Sequence, residues 1–333
     1  MTAPPRVGVI GAGSLGFHHI RILRDLPRIR FAGFVEARPE RAAEVNEQLG
    51  ATAHSSVADL LAVSDAIVIV VPTPAHFAVA SEAIGKGKHV FIEKPITTTL
   101  DQADTLLALA REHGVMVQIG HIERFNRAVR AALPFVSRPR FIDSERLAPF
   151  SPRGSDVAVV LDLMIHDIDL LLTLVGSPAK DIAAVGVPVL TPMLDIANAR
   201  VTFTSGAVAN ITSSRISRER KRKIRIFQQS GYLSLDLAAG TGEFFRIKSG
   251  LDPMEIRTAP VDIAAFVDRI PLEAPEGEPL RLELESFVTA LLGEGPVVVT
   301  GEDGRLALGV ALRIVEEIER TLPSLTGVPA RNA

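Results

Sequence analysis

An aspartate and a histidine lie four residues apart in the segment Asp162-Leu-Met-Ile-His166. On an α-helix, residues at this spacing project from one face, so the carboxylate and the imidazole would lie side by side. Histidine titrates near neutral pH, and such a pair suits removal of a proton from an alcohol. The alternatives are a buried, satisfied histidine beside an acid, or two metal ligands, for which no third ligand is evident in the sequence.

A second group of reactive types is Glu93-Lys94-Pro95, which ends the apolar run that starts at His89. Charged side chains at the end of a buried strand are costly unless they have partners or a task. The proline directs Lys94 out of the strand end. There its ammonium can donate a hydrogen bond to a reacting oxygen and stabilise a developing alkoxide. The alternative is a salt-bridged pair that only caps the strand.

The chain begins with an apolar strand that runs into Gly11-Ala-Gly13-Ser-Leu-Gly16. In this G-x-G-x-x-G pattern, the first glycine permits a tight turn, the second lets backbone approach a pyrophosphate and the third lets the next helix pack on the strand. Glu36 follows 20 residues after Gly16, at the end of a second apolar run. A carboxylate there can accept hydrogen bonds from both ribose hydroxyls of NAD, and it would repel the extra phosphate of NADP. Arg38, a cation just after the acid, would instead tolerate that phosphate. We favour NAD over NADP.

The segment Pro72-Thr73-Pro74-Ala-His76 follows the third apolar run. Turns at the carboxyl ends of parallel strands are where doubly wound sheets bind ligands. Thr73 and His76 are therefore candidates to contact the cofactor. For His76, packing or capping at the start of the next helix is an equally good interpretation.

Up to about residue 120, apolar runs alternate with helical patterns, which predicts an α/β domain with a doubly wound parallel sheet. The runs are 7–10, 31–35, 66–71, 89–92 and 115–119, and the helical patterns are 15–26, 39–49, 76–85 and 100–113. A helix at 159–175 then precedes β-branched and aromatic runs at 182–190, 197–204, 207–213, 223–228 and 232–237. These runs predict a large, open, mostly antiparallel sheet. Helices at 280–292 and 303–321 close the chain, and 271–279 is predicted to be a loop.

The 333 residues exceed what one hydrophobic core usually organises, so two domains are predicted. We place a dinucleotide-binding Rossmann domain at 1–121 and an α/β domain for substrate binding and oligomerisation at 122–333, with the last helices as candidates to pack on the first domain. The net charge of -3 does not indicate a nucleic-acid partner, and the absence of cysteine excludes thiolate chemistry. Since no leader or bilayer-length apolar run is visible, we expect a cytoplasmic protein with no membrane partner.

Together, the glycine loop, Thr73-Pro74-x-His76, Glu93-Lys94-Pro95 and Asp162-x-x-x-His166 resemble the Gfo/Idh/MocA oxidoreductase family over nearly the whole chain. Members of that family combine a Rossmann domain with an α/β domain that has an open sheet. They bind NAD(P) and oxidise or reduce a carbinol carbon, usually on a sugar or cyclitol. By this resemblance Lys94 and His166 are the catalytic pair, and Asp162 holds a substrate hydroxyl.

The resemblance also implies two sets of binding residues and no metal site. Cofactor contacts are expected from residues at the ends of the parallel strands: Gly11, Gly13, Ser14, Leu15, Gly16, Glu36, Arg38, Thr73, Pro74, His76, Glu93 and Lys94. Substrate contacts are expected from the second group of motifs: Lys94, His121, Arg124, Asn126, Asp162 and His166.

Two stretches, 120–126 and 161–169, are similar to a subgroup of this family, the 3-dehydrogenases of UDP-N-acetylglucosamine, which form a 3-keto nucleotide sugar. The chain departs from that pattern at Arg127, where a proline is typical. The resulting hypothesis is NAD-dependent oxidation of the 3-hydroxyl of UDP-N-acetylglucosamine by a homodimer or homotetramer. The alternatives are dehydrogenation of a free sugar or inositol, and a non-catalytic dinucleotide-binding sensor.

A run of cations in 215–225 is independent of this resemblance. Its members are Arg215, Arg218, Arg220, Lys221, Arg222, Lys223 and Arg225. Such a run is typical of a solvated strand face, a turn or an oligomer contact. It could also dock a diphosphate, because arginine and lysine suit that charge. Nucleic-acid binding is the weaker interpretation, because no aromatic residues are interleaved.

Overall fold

The computed structural model describes residues 3–152, 154–248 and 266–325. The chain forms two compact units, the first from Met1–Ile122 and Gly277–Gly309 and the second from Glu123–Glu276 and Val310–Ala333. The first unit thus includes a late stretch of the chain, whereas the division predicted between residues 121 and 122 follows chain order. A domain boundary at that position stays a prediction.

Five parallel strands form the sheet of the first unit, in the order β2-β1-β3-β4-β5. They are β1 (Arg6–Ile10), β2 (Arg30–Val35), β3 (Ala66–Ile69), β4 (His89–Glu93) and β5 (Val117–Gly120). The helices between and after them are α1 (Ser14–Arg24), α2 (Pro39–Leu49), α3 (Val57–Val63), α4 (Thr73–Gly85) and α5 (Leu100–His113). The predicted doubly wound sheet is confirmed. The strand order reverses at β1 and β3, and ligands bind at such a switch point.

A helix from late in the chain, α8 (Pro279–Leu291), completes the core of the first unit. Its apolar side chains Leu284 and Phe287 are fully buried in the same cluster as Val7 and Phe91. The rings of Phe91 and Phe287 meet edge to face, with centroids 5.7 Å apart. Core formation by the first unit therefore depends on residues far from the Rossmann strands in sequence.

The second unit contains an eight-stranded sheet in the order β13-β12-β11-β10-β6-β9-β8-β7. Its strands are β6 (Phe141–Leu147), β7 (Ala179–Val187), β8 (Ile196–Phe203), β9 (Val208–Ser214), β10 (Lys221–Gln228), β11 (Gly231–Asp236), β12 (Thr241–Ile247) and β13 (Val267–Leu272). Only the β6–β9 pair is parallel among these described strands. The predicted mostly antiparallel sheet is confirmed.

Sequence patterns missed β6, β12 and β13. Strand β6 has polar residues on both faces: Ser144 and Arg146 are buried beside Ile142, and Asp143 and Glu145 on the partly exposed face pair with Arg225 and Lys221 of β10. The prediction of a loop at 271–279 is wrong at its start, because β13 continues through Pro271 to Leu272. Proline is tolerated there because β13 is an edge strand.

The helices of the second unit are α6 (Arg127–Ala132), α7 (Ile165–Val175) and the end of α9 (Gly301–Leu325). The predicted helix at 159–175 is not uniform: Val160–Met164 forms a π-helical turn that leads into α7. Such turns occur often at functional sites. In the described part of the chain, no helix is both long and apolar enough to cross a bilayer.

Candidate functional site

The glycine loop between β1 and α1 is shaped to accept a phosphate group. Gly11 has a φ of +97°, and a Cβ there would clash with the carbonyl of Val70. A Cβ on Gly16 would clash with the carbonyl of Gly11, whereas one on Gly13 would meet no atom within 4 Å. Gly13 is the N-cap of α1, and no side chain caps this end of the helix. The first amides of α1, which include those of Ser14 and Leu15, therefore suit the pyrophosphate of a dinucleotide.

Glu36 lies at the end of β2 and contacts this loop. One carboxylate oxygen accepts the Ala12 N–H at 2.9 Å, and the other accepts Arg38 Nε at 2.9 Å. Burial opposes ionisation, but the hydrogen bonds from Arg38 and Ala12 outweigh it and lower the pKa of Glu36. The group is thus a carboxylate at neutral pH. Oε1 accepts the backbone N–H of Arg38 as well as its Nε–H, whereas Oε2, which accepts the Ala12 N–H, has a second lone pair for a ribose hydroxyl.

An open cavity of about 530 Å³ adjoins the glycine loop. Its lining combines loop residues with cations and polar side chains: Gly13, Ser14, Phe17, His18, Arg38, Arg41 and Gln48. The predicted NAD contacts Gly13, Ser14 and Arg38 lie in this lining. The donor groups and the unfilled space beside Gly13 fit the dinucleotide that the sequence pattern predicts.

His76 occupies a different environment from the one expected of a residue at the cofactor surface. It lies in the first turn of α4 and is 1% exposed, while Thr73 is half-buried and Pro74 is exposed. Its Nδ1 lies 2.8 Å from the carbonyl oxygen of Pro95, and its Nε2 lies 2.9 Å from that of Val71. His76 therefore joins two turns at the carboxyl ends of β3 and β4.

Glu93 and Lys94 lie at the carboxyl end of β4, and the Lys94–Pro95 peptide is cis. Glu93 is buried, and one of its oxygens lies 2.9 Å from Nε2 of His19 on α1. Lys94 is half-buried. His19 was missed by sequence reasoning. Its place three residues after Gly16 on α1 was the available signal, because residues three apart share a helix face and Gly16 packs on the sheet.

In the second unit, Asp162 and His166 are both half-buried. The argument from an α-helical repeat does not hold for Asp162, because it lies in the π-helical turn that precedes α7. The space beside Asp162 is filled by the turn at Gly154, where a Cβ would come within 2.7 Å of the carboxylate. The described residues hold no group of three or more His, Asp or Glu placed to bind a metal ion.

One cation of the basic run supports that turn. Arg215 is 4% exposed and donates to the carbonyls of Gly154 at 2.5 Å and Val157 at 2.6 Å. It is therefore a buried brace. Arg225, Lys221 and Lys223 instead pair with carboxylates of the neighbouring strands. Three of the seven cations thus form the solvated, ion-paired strand face that is typical of such sequences.

Buried ion pairs anchor the first turns of α7 through Asp167 and Asp169. Arg146 of β6 donates to Asp167 at 2.6 Å and to Glu123 at 2.8 Å, and its side chain is only 4% exposed. Arg124 binds Asp169 through two hydrogen bonds, of 2.8 and 2.6 Å. Asp167 is adjacent to His166 in sequence. The network therefore fixes the segment of α7 that carries the histidine.

Asn126, a predicted substrate contact, adjoins this network, and His121 lies in the first unit. Asn126 caps α6 and donates to Glu123 and to the carbonyl of Leu237, and it is 8% exposed. His121 follows β5 and is 1% exposed. Arg124 and Asn126 thus bind other groups of the protein, and His121 is buried. The contact of all three with substrate stays a prediction.

The sequence matches two domain models. Residues 5–121 match an oxidoreductase family with an NAD-binding Rossmann fold, and residues 125–234 match the GFO/IDH/MocA C-terminal domain. The predicted fold and the predicted NAD-binding domain are confirmed by these matches.

A relative spans almost the whole chain. The UDP-N-acetylglucosamine 3-dehydrogenase of Acidithiobacillus ferrooxidans is 39% identical over 320 residues, which cover 95% of this chain and 98% of that enzyme. A crystal structure of that enzyme superposes with a TM-score of 0.87 and covers 96% of this chain and 99% of the other. The WlbA dehydrogenase from Bordetella pertussis, solved with NADH and UDP-GlcNAcA, shares the fold, with a TM-score of 0.81 and 20% identity over 96% of this chain and 97% of that one.

Proposed function

Because the chain belongs to the Gfo/Idh/MocA family of NAD-binding oxidoreductases, we propose that it oxidises the 3-hydroxyl of UDP-N-acetylglucosamine to a ketone. The observation that carries this choice is the 39% identity to a UDP-N-acetylglucosamine 3-dehydrogenase across 95% of the chain. The matches to inositol dehydrogenases are less similar, at 24–32% identity, and four of these five span about half to two thirds of the chain.

The proposed chemistry assigns each residue a separate task. His166 takes the proton of the 3-hydroxyl as its carbonyl forms, and Asp162 holds a neighbouring hydroxyl in place. Lys94 donates a hydrogen bond to the reacting oxygen and stabilises its developing negative charge. Bound NAD supplies the acceptor for the hydride that leaves C3. Glu36 orients the cofactor ribose, and the amides at the start of α1 hold the pyrophosphate.

A substrate panel tests this proposal. NADH formation is followed at constant NAD with UDP-N-acetylglucosamine, myo-inositol and glucose as alternative substrates. We expect the nucleotide sugar to give the highest kcat/KM, because the closely related enzyme is named for that substrate. Activity with myo-inositol or glucose and none with any nucleotide sugar would overturn the substrate assignment.

We place the reaction in the cytoplasm, where NAD and nucleotide sugars are held, and fractionation of cells would locate the activity.

We further propose that the chain forms a homodimer or homotetramer through the open face of its eight-stranded sheet. Four half-buried aromatic rings, Phe141, Phe227, Tyr232 and Phe245, form a row across adjacent strands, with centroids 5.6, 5.4 and 4.6 Å apart. A contiguous apolar row on a partly exposed face indicates an interaction surface. A second copy fits because the same face carries paired charges of both signs.

Light scattering of the purified protein tests the assembly. We expect the mass of two or four chains for the wild type and a lower mass for Tyr232→Glu, because a carboxylate in the aromatic row would be desolvated on association. Val63→Glu, at a 39% exposed apolar position of α3, is the control and should keep the wild-type mass. A wild-type protein that is monomeric at micromolar concentration would contradict the proposal.

A further inference from the structure

Lys94 lies between two neighbours that are each held by a buried histidine. The preceding residue, Glu93, is held through its side chain by His19, and the following residue, Pro95, is held through its carbonyl by His76. The two histidines come from different helices, α1 and α4, and both are at most 1% exposed. Neither residue is required by the roles proposed above for the reacting groups.

The contact of His19 with Glu93 is specific. Besides its 2.9 Å hydrogen bond to Glu93, the His19 ring makes an edge-to-face contact with Phe91, and a Cβ on Gly120 would lie only 3.0 Å from the Glu93 carboxylate. Burial raises the pKa of Glu93, but the hydrogen bond and charge of His19 outweigh that effect and lower it. The second Glu93 oxygen lies 3.3 Å from the backbone N–H of Lys94.

Packing alone does not account for a histidine at position 19. Its Nδ1 is buried without a hydrogen-bond partner among the described residues. A buried polar atom without a partner costs free energy, and an apolar side chain would avoid that cost. The compensating gain is the hydrogen bond to Glu93, which holds the carboxylate beside the backbone of Lys94.

His76 acts on the other side of Lys94. Burial lowers its pKa despite the two backbone carbonyls that favour the charged ring, so the ring is neutral at pH 7 and has a single N–H. That N–H can donate either to Pro95 at 2.8 Å or to Val71 at 2.9 Å. Donation to Pro95 would fix the turn that begins at Lys94.

We infer that His19 and His76 are positioning residues that hold Lys94 in its working orientation from both sides. This inference rests on the proposed catalytic role of Lys94. A displacement of about 1 Å of a catalytic group lowers turnover by as much as about 100-fold, so loss of either contact should reduce kcat and leave cofactor affinity nearly unchanged.

The variants separate the hydrogen bonds from the packing. His19→Gln keeps an N–H near the position of Nε2, whereas His19→Met removes it. His76→Asn keeps an N–H near the Nδ1 position that faces Pro95, whereas His76→Gln keeps one near the Nε2 position that faces Val71. We expect kcat to fall about tenfold or more for His19→Met and His76→Gln, and to recover toward wild type for His19→Gln and His76→Asn. NADH affinity, measured by fluorescence, should stay within a few-fold of wild type.

A matched control is His89→Gln, at the opposite end of the same strand, where Nδ1 accepts the Met116 N–H at 3.0 Å. It should keep the wild-type kcat.

The decisive measurement repeats the four histidine substitutions in a Lys94→Ala background. If the histidines act through Lys94, they no longer change the residual kcat. Effects that persist there overturn the inference and leave the proposed function intact, as would recovery by His76→Gln in place of His76→Asn. If Lys94→Ala itself retains wild-type kcat, the catalytic assignment and the inference both fail.

Discussion

Replacing Lys94 with alanine is expected to lower kcat by about 10²- to 10⁴-fold and to leave the affinity for NADH within a few-fold of wild type. The ammonium is proposed to stabilise charge that develops on the reacting oxygen, so its loss is felt in the transition state. The glycine loop and Glu36, which are proposed to hold the other end of the dinucleotide, are unchanged by the substitution. Steady-state kinetics and NADH fluorescence measure the two quantities separately.

Lys86→Ala is the matched control for this substitution. Lys86 is exposed and caps the end of α4, eight residues before Lys94. It should retain wild-type kcat and wild-type NADH affinity. Unchanged turnover in Lys94→Ala would remove the catalytic role of the lysine. Loss of NADH binding in that variant would show instead that Lys94 acts mainly on the cofactor.

The second large effect is expected on stability. Arg146→Met should lower the free energy of unfolding by about 3–5 kcal/mol, because it removes the cation that Glu123 and Asp167 share in the interior and leaves Glu123 with the longer, 3.7 Å pair to Arg222. Those carboxylates are only 7% and 2% exposed, and they raise the pKa of Arg146 against the opposing effect of burial. Denaturation by urea, followed by circular dichroism, measures the change.

Arg225→Met on the neighbouring strand is the control for Arg146→Met. Arg225 is 54% exposed and pairs with Asp143 of the same strand, β6, that carries Arg146. Its loss should cost at most about 1 kcal/mol, because water solvates the remaining charge. A combined variant, Arg146→Met with Glu123→Gln and Asp167→Asn, should recover part of the loss. Equal effects of the two single substitutions would contradict a special role for the buried network.

Recognition of the cofactor domain needed only local sequence. The strand, the G-x-G-x-x-G turn and the start of α1 are contiguous, and glycine is required where backbone atoms approach each other. The same holds for Glu93-Lys94-Pro95, since a strand that ends in charged residues and proline determines where those side chains emerge. The alternation of apolar runs with helical patterns likewise predicted the parallel sheet. The hydrophobic periodicity of a strand or a helix is set by residues that are close together in the chain, so it can be read from sequence.

Local patterns failed where a residue depends on a distant partner. Strand β6 was missed because its charged residues are stabilised by cations of β10, about 80 residues later in the chain. The basic run could not be divided by sequence into buried brace and solvated strand, since only the course of β9 and β10 places Arg215 inside and Arg225 outside.

The sequence by itself determined the fold class, the cofactor loop and the reactive residue types, because short-range periodicity and steric limits specify them. Tertiary structure alone decided which buried groups hold them in place. His19 meets Glu93 across 74 residues of chain, and Arg146 meets Asp167 across 21. Such partners are selected by strand register and helix rotation. These bring groups that are distant in sequence together in the low-dielectric interior of each unit, where a buried charge needs a partner of opposite sign or a hydrogen bond.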